Sequence, residues 1–123
     1  MLIGVGVDTI EISRVIHACE RASFVERIFT SKEREQWDKN KRRAASDFAG
    51  KEAVVKVFGT GFAGIDANEI SILRRENGAP YVVLSGKAEE MAKEMGIRDI
   101  KISITNTKEL ATAFAVGYGE ESL

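Results

Sequence analysis

Between Ala44 and Phe58 the sequence offers a helix with almost no polar side. Phe48, Ala49, Ala53, Val54, Val55, Val57 and Phe58 surround nearly its whole circumference, and a helix apolar all round has to be covered by other elements. Gly59-Thr60-Gly61 stops it. The rest of the chain supplies the cover. Leu2 to Val7, rich in β-branched residues, predicts a strand ending at Asp8-Thr9. Ile12, Val15, Ile16 and Cys19 fall at helical spacing. Phe24 to Phe29 predicts a short apolar turn or helix. Thr30-Ser31-Lys32-Glu33 is a capping-box pattern opening a polar helix that contains Trp37. Farther on, Ile70 to Arg74 and Tyr81 to Leu84 flank Asn77-Gly78, a hairpin signal. Lys87 to Met95 is amphipathic, with Gly96 as its stop. Ile100 to Thr105 alternates apolar and polar, and Leu110 to Tyr118 is its antiparallel partner. The expected fold is α+β, a mainly antiparallel sheet packed around one long buried helix.

At 123 residues, 44% of them hydrophobic, the chain suits a single domain over 1–123 with one core. A domain this small gains from self-association. A net charge of -1 argues against bulk nucleic-acid binding. The arginines nevertheless gather in the first half, at Arg14, Arg21, Arg27, Arg34, Arg42 and Arg43, where they can steer a polyphosphate. Cys19 is the only cysteine, so no internal disulfide forms, and a reducing, cytoplasmic location is expected. Met1 to Val7 is too short for a signal-peptide core, and no run approaches the ~20 apolar residues of a membrane span. The one histidine, His17, has no second histidine to join it, which excludes zinc chemistry of the His/Cys kind.

Two carboxylates stand out. Asp8 ends the first strand. It reads either as a helix N-cap with Glu11 at N3 or as a ligand for a hard cation such as Mg²⁺, which takes one or two protein carboxylates plus phosphates and waters. Glu52 lies about 40° from Phe48 and about 60° from Val55 on the helical wheel, inside the apolar stripe. Lys56 follows one turn later. The two are either an ordinary helix-surface pair or, because buried charge demands a partner or a metal, a site in which a metal and a lysine meet phosphate oxygens. Gly59, Thr60 and Gly61 read as a helix stop or as a close backbone approach to a ligand. They do not form a Walker loop, since the Gly-Lys-Ser/Thr ending is missing. Ser103 to Lys108 reads as the end of a strand carrying several hydrogen-bonding side chains, or simply as a capped turn.

Gly6-Val7-Asp8-Thr9-Ile10-Glu11-Ile12-Ser13-Arg14-Val15 and Phe48-Ala49-Gly50-Lys51-Glu52-Ala53-Val54-Val55-Lys56-Val57-Phe58-Gly59-Thr60-Gly61 together resemble the two motifs of small bacterial phosphopantetheinyl transferases, the holo-acyl-carrier-protein synthases. The resemblance spans nearly the whole chain and implies a 4′-phosphopantetheinyl transferase-like fold. It implies Mg²⁺ on Asp8 and Glu52, set against the pyrophosphate of the substrate coenzyme A, with Lys56 on phosphate. All three residues would be catalytic. Gly59, Thr60, Gly61, Ser103, Asn106 and Lys108 would line the coenzyme site. Arg14, Arg21 and Phe24 would face an apo-acyl carrier protein, whose serine receives the arm in support of fatty acid biosynthesis. A homotrimer with sites between subunits is implied, with no nucleic acid or membrane as partner. Many family members carry histidine where this chain has Asn106, which cannot act as an acid or base near neutral pH. The same residues also suit a Mg²⁺-dependent nucleotide pyrophosphate hydrolase. If the charges only cap and pair helices, the chain is a non-catalytic trimeric binding module.

Overall fold

The computed structural model describes residues 1–62 and 64–120. In order these form β1 (Leu2–Glu11), α1 (Ile12–Ala18), α2 (Ala22–Ile28), α3 (Ser31–Trp37), α4 (Arg42–Phe58), a 3₁₀ turn (Ala67–Glu69), β2 (Ile70–Arg74), β3 (Pro80–Leu84), α5 (Gly86–Glu94), β4 (Asp99–Asn106) and β5 (Leu110–Tyr118). Strands β1, β5 and β4 make one antiparallel sheet in that spatial order, and β2 and β3 make a separate hairpin. The long helix α4 is the element the others cover, and its apolar side chains form the middle of the core. No helix among the described residues is long and apolar enough to cross a membrane.

Small side chains set how near the sheet comes to α4. The inner face of β5 carries Ala111, Ala113, Ala115 and Gly117, paired in register with Ile10, Asp8, Gly6 and Gly4 of β1. This stripe admits the helix backbone itself. A Cβ built at Gly6 would stand 1.9 Å from the carbonyl oxygen of Ala53 and 2.9 Å from Cβ of Lys56. Dispersion contacts at such close approach take the place of large interdigitating side chains.

Two elements depart from the sequence expectation. Strand β1 does not end at Asp8-Thr9. It continues to Glu11, because Asp8, Thr9, Ile10 and Glu11 all pair with β5. Glu11 is therefore the extended N-cap residue of α1, with no side-chain cap, and Asp8 caps nothing. A cross-strand ladder won over a local capping pattern. Helix α4 begins two residues before the expected Ala44, at Arg42. The hairpin and the Thr30–Glu33 capping box form as expected.

The core holds charged groups as well. Asp47 on α4 is buried and accepts hydrogen bonds from Trp37 Nε1 at 2.8 Å and from an Arg74 guanidinium nitrogen at 2.5 Å, tying α3 and β2 to the helix. Among the described residues, no buried side-chain polar atom lacks a partner. Burial pushes the Asp47 carboxyl up to about 6 against the pull of Arg74. Its folded value thus lies above its ordinary one, so the stability this group contributes is complete below about pH 4 and is lost as pH rises through about 6. We expect Asp47→Asn to remove that downward slope between about pH 4 and 6, as checked by denaturant melts of both proteins across the window.

Candidate active site

Asp8 lies on the inner face of β1, two residues beyond Gly6 and so on the same side of the strand. The close approach at Gly6 places this face directly over the second half of α4. There Lys56 Nζ sits 3.0 Å from Asp8 Oδ1 and donates to the Val7 carbonyl at 2.9 Å. Glu52 is one turn earlier on α4 and half-buried. Burial raises its pKa first and the neighbouring Asp8 charge raises it further, against the opposing pull of Lys56. Two carboxylates and one ammonium therefore converge from two elements far apart in the chain. Among the described residues the lysine's ion pair is with Asp8, not with Glu52, which sets aside the alternative of a simple Glu52–Lys56 helix pair. The side chain of Lys56 remains about half exposed, so the cluster opens to solvent.

The donor set suits a hard divalent cation. Both carboxylates offer oxygen only, and a cation between them would relieve the repulsion that raises Glu52. No group of three or more His, Cys, Asp or Glu side chains able to hold a metal occurs among the described residues. Two protein carboxylates with room for phosphate and water oxygens is the arrangement Mg²⁺ prefers over a closed protein cage.

The remaining expected residues fall into three places. Gly59, Thr60 and Gly61 follow Lys56 directly. Gly59 ends α4 in the left-handed region at φ 76° and Gly61 repeats that conformation at 62°. Asn106 is the last residue of β4 rather than part of a turn, and its amide donates to Ser46 Oγ at 2.7 Å. Ser103, three residues away in the same strand, therefore faces the opposite side of the sheet from Asn106. The structure separates the two. Lys108 lies just beyond, where its carbonyl and that of Thr107 accept both terminal nitrogens of Arg42. Arg14 and Phe24 line one cavity of ≈ 460 Å³ together with Glu11, Phe48 and Leu110, while Arg21 sits outside it as the N-cap of α2.

Two arrangements escaped the sequence reading. A basic groove of ≈ 310 Å³ gathers Asn40, Arg42, Arg43, Ser46, Arg74 and Asn106 from three separate segments. The Arg42-Arg43 pair hinted at it, but Arg74 joins only through the hairpin. The second is Glu33 with Lys51, an ion pair of 2.7 Å whose side chains are 0% and 1% exposed. A lysine inside an otherwise apolar helix was the available signal.

Comparison with known proteins identifies the family. Residues 4–115 match the model of the 4'-phosphopantetheinyl transferase superfamily. A holo-[acyl-carrier-protein] synthase from Lachnoclostridium phytofermentans is 53% identical over 117 residues, covering 95% of this chain and 96% of that protein. Among solved structures, the holo-ACP synthase of Plasmodium yoelii superposes with a TM-score of 0.85 at 30% identity, covering 98% of each chain. The Helicobacter pylori holo-[acyl-carrier-protein] synthase, solved in complex with coenzyme A, superposes at 0.83 with 26% identity, covering 93% of this chain and 99% of that one. With the family model matched over most of its length and a relative this close, the chain belongs to the 4'-phosphopantetheinyl transferase superfamily.

Proposed function

We propose that this chain moves the 4′-phosphopantetheine arm of coenzyme A onto a serine of an apo-acyl carrier protein and releases adenosine 3′,5′-bisphosphate. One observation carries the reading: Asp8, Glu52 and Lys56 meet in one open cluster in a member of this superfamily. The relatives' names and the coenzyme A held by the Helicobacter pylori protein support it. Bound Mg²⁺, held by Asp8 and Glu52, would offset charge on the pyrophosphate. Lys56 adds a positive charge beside it. The serine oxygen bonds to the β-phosphorus as the bridging P–O bond breaks and adenosine 3′,5′-bisphosphate leaves, and Glu52 would take up the serine proton through an intervening water. Positioning and electrostatics do most of this work.

Gly59, Thr60 and Gly61 would approach the phosphates by backbone, and the Asn106 groove, with Arg42 and Arg43, suits the nucleotide's phosphate. Lys108 would stand at its mouth. Arg14, Phe24 and Arg21 would meet the acidic carrier. We expect Arg14→Ala to raise the KM for carrier protein about tenfold while leaving that for coenzyme A within about twofold, measured by steady-state kinetics. Equal changes in both would remove Arg14 from the carrier surface.

The working form in this reading is a homotrimer of single-domain chains in the cytoplasm, serving fatty acid synthesis. Strands β1 and β4 are the two outer strands of the sheet, so the Asp8 cluster and the Asn106 groove lie toward opposite edges of one chain. The outer sheet face is apolar and open: Val5, Val7 and Phe114 are 52%, 53% and 46% exposed, and Val7 pairs with Phe114. Packing that face against other copies would bury it, bring one chain's cluster to its neighbour's groove, and use Ser103 at the contact. We expect Phe114→Glu to yield monomers by light scattering and to lower activity at least about tenfold.

The deciding experiment is the intact mass of an apo-acyl carrier protein after incubation with this protein, coenzyme A and Mg²⁺. A gain of one phosphopantetheine, abolished by EDTA, establishes the transfer. Coenzyme A consumed without any gain would point to hydrolysis instead.

A further inference from the structure

Lys51 is the residue the proposed reaction leaves unused, and it stands next to Glu52 on the catalytic helix. Its ammonium is wholly buried, with Glu33 Oε1 at 2.7 Å. It also donates to the Ala67 carbonyl at 3.0 Å and to the Ile70 carbonyl. All three of its hydrogens are therefore used, and the Phe29 ring lies 5.6 Å from the charge. Glu33 is held in turn. Its second oxygen accepts the Ile72 amide at 2.9 Å, and its first accepts the Thr30 amide at 2.9 Å. The network thus joins α3, α4, the 3₁₀ turn and β2 around one side chain.

Its position matters more than its charge. Lys51 points to the side of α4 away from β1, while Glu52 and Lys56 point toward Asp8. Adjacent helical residues are about 100° apart on the wheel, so fixing Lys51 fixes the rotation of α4 about its own axis. Ala67 and Ile70 also receive the chain where it returns from the Gly59-Thr60-Gly61 turn. One ammonium thereby ties the middle of α4 to the 3₁₀ turn and the start of β2. We propose that Lys51 is a positioning residue for phosphopantetheine transfer: by tying α4 to α3, the 3₁₀ turn and β2 it locks the rotation of α4, so that Glu52 and Lys56 stay aimed at Asp8. This rests on the function proposed above.

The test compares wild type, Lys51→Met and the double variant Glu33→Gln/Lys51→Met. Methionine keeps the shape of the stem. Glutamine keeps the α3 capping box and removes the stranded negative charge. The single variant leaves Glu33 buried without its partner, so its loss of stability is not informative alone. The double variant relieves that charge but still lacks the donor to Ala67 and Ile70. We expect the double variant to melt cooperatively, yet to show a kcat lower by about a hundred-fold, with the KM for carrier protein unchanged. We also expect weaker Mn²⁺ binding by electron paramagnetic resonance in the presence of coenzyme A. A double variant that regains both stability and kcat would overturn the proposal, and so would one that does not fold, since Lys51 would then serve the fold alone. A wild-type protein with no transfer activity would instead sink the underlying function, and Mn²⁺ binding would still report the geometry of the cluster.

Discussion

Replacing Asp8 or Glu52 by alanine is expected to lower kcat by about a hundred-fold or more while the protein stays folded. Asp8 pairs with Lys56 and Glu52 lies one turn before it on α4, and in the proposed reaction the two carboxylates hold the cation that faces the pyrophosphate. Removing either leaves one protein carboxylate where the reading needs two, so Mg²⁺ should be held more weakly and placed less well against the pyrophosphate. Stability should move the other way at Glu52. Its folded pKa lies above the ordinary 4.5 through burial and the Asp8 charge. The stability it contributes is therefore complete below the ordinary value and is lost as pH rises through the raised one. At neutral pH the ionised carboxylate opposes folding, and Glu52→Ala should hold or raise Tm in metal-free buffer. Wild type should in turn gain Tm when Mg²⁺ is added in the presence of coenzyme A, by mass action on the folded state, and both variants should lose that Mg²⁺-dependent gain. Melting curves with and without Mg²⁺, beside single-turnover transfer rates, check both halves. Normal rates in either variant would remove the metal from these residues.

Gly6→Ala should be nearly as damaging through a different route. Its new methyl would stand 1.9 Å from the Ala53 carbonyl oxygen, a backbone atom in the middle of α4 that no rotamer change can move. Strand and helix must separate, at a cost of about 3 kcal/mol or more, the upper end of what overpacking does. Asp8 is two residues along the same face, and Lys56 Cβ is the next atom the methyl would strike. The displacement therefore opens the Asp8–Lys56 contact directly, and kcat should fall with stability. Urea melts should show a lower midpoint, and transfer assayed well below the transition should remain impaired. The same substitution at Gly78, in the exposed hairpin turn, meets no atom within 4 Å. Its effect should be confined to the strain of φ 89°. A Gly6→Ala protein as stable and active as wild type would mean that β1 and α4 tolerate a wider spacing than this fold shows.

Patterns that repeat within a few residues could be read before any fold was known. The apolar circumference of α4, the Asn77-Gly78 turn, the Thr30–Glu33 box and the alternation in β4 each report on neighbours one to four positions away, and each formed. The two motifs also named Asp8, Glu52 and Lys56. What they could not supply was partnership. Asp8 had a good local use as a cap, and only pairing with Ala113, more than a hundred positions away, made it a strand residue instead. Glu52 and Lys56 had a good local use in each other, until the approach at Gly6 put Asp8 within reach of the lysine. Glu33 was fully occupied as a cap in the sequence, yet it is also the buried counter-ion of Lys51. Ser103 and Asn106 read as one segment, and the two-residue period of a strand sent them to opposite faces. Local propensity is worth tenths of a kcal/mol per residue, whereas a buried charge or an unpaired strand edge is worth several times that. Composition and short-range period therefore determined which elements this chain makes, and tertiary packing decided which charges face one another across them.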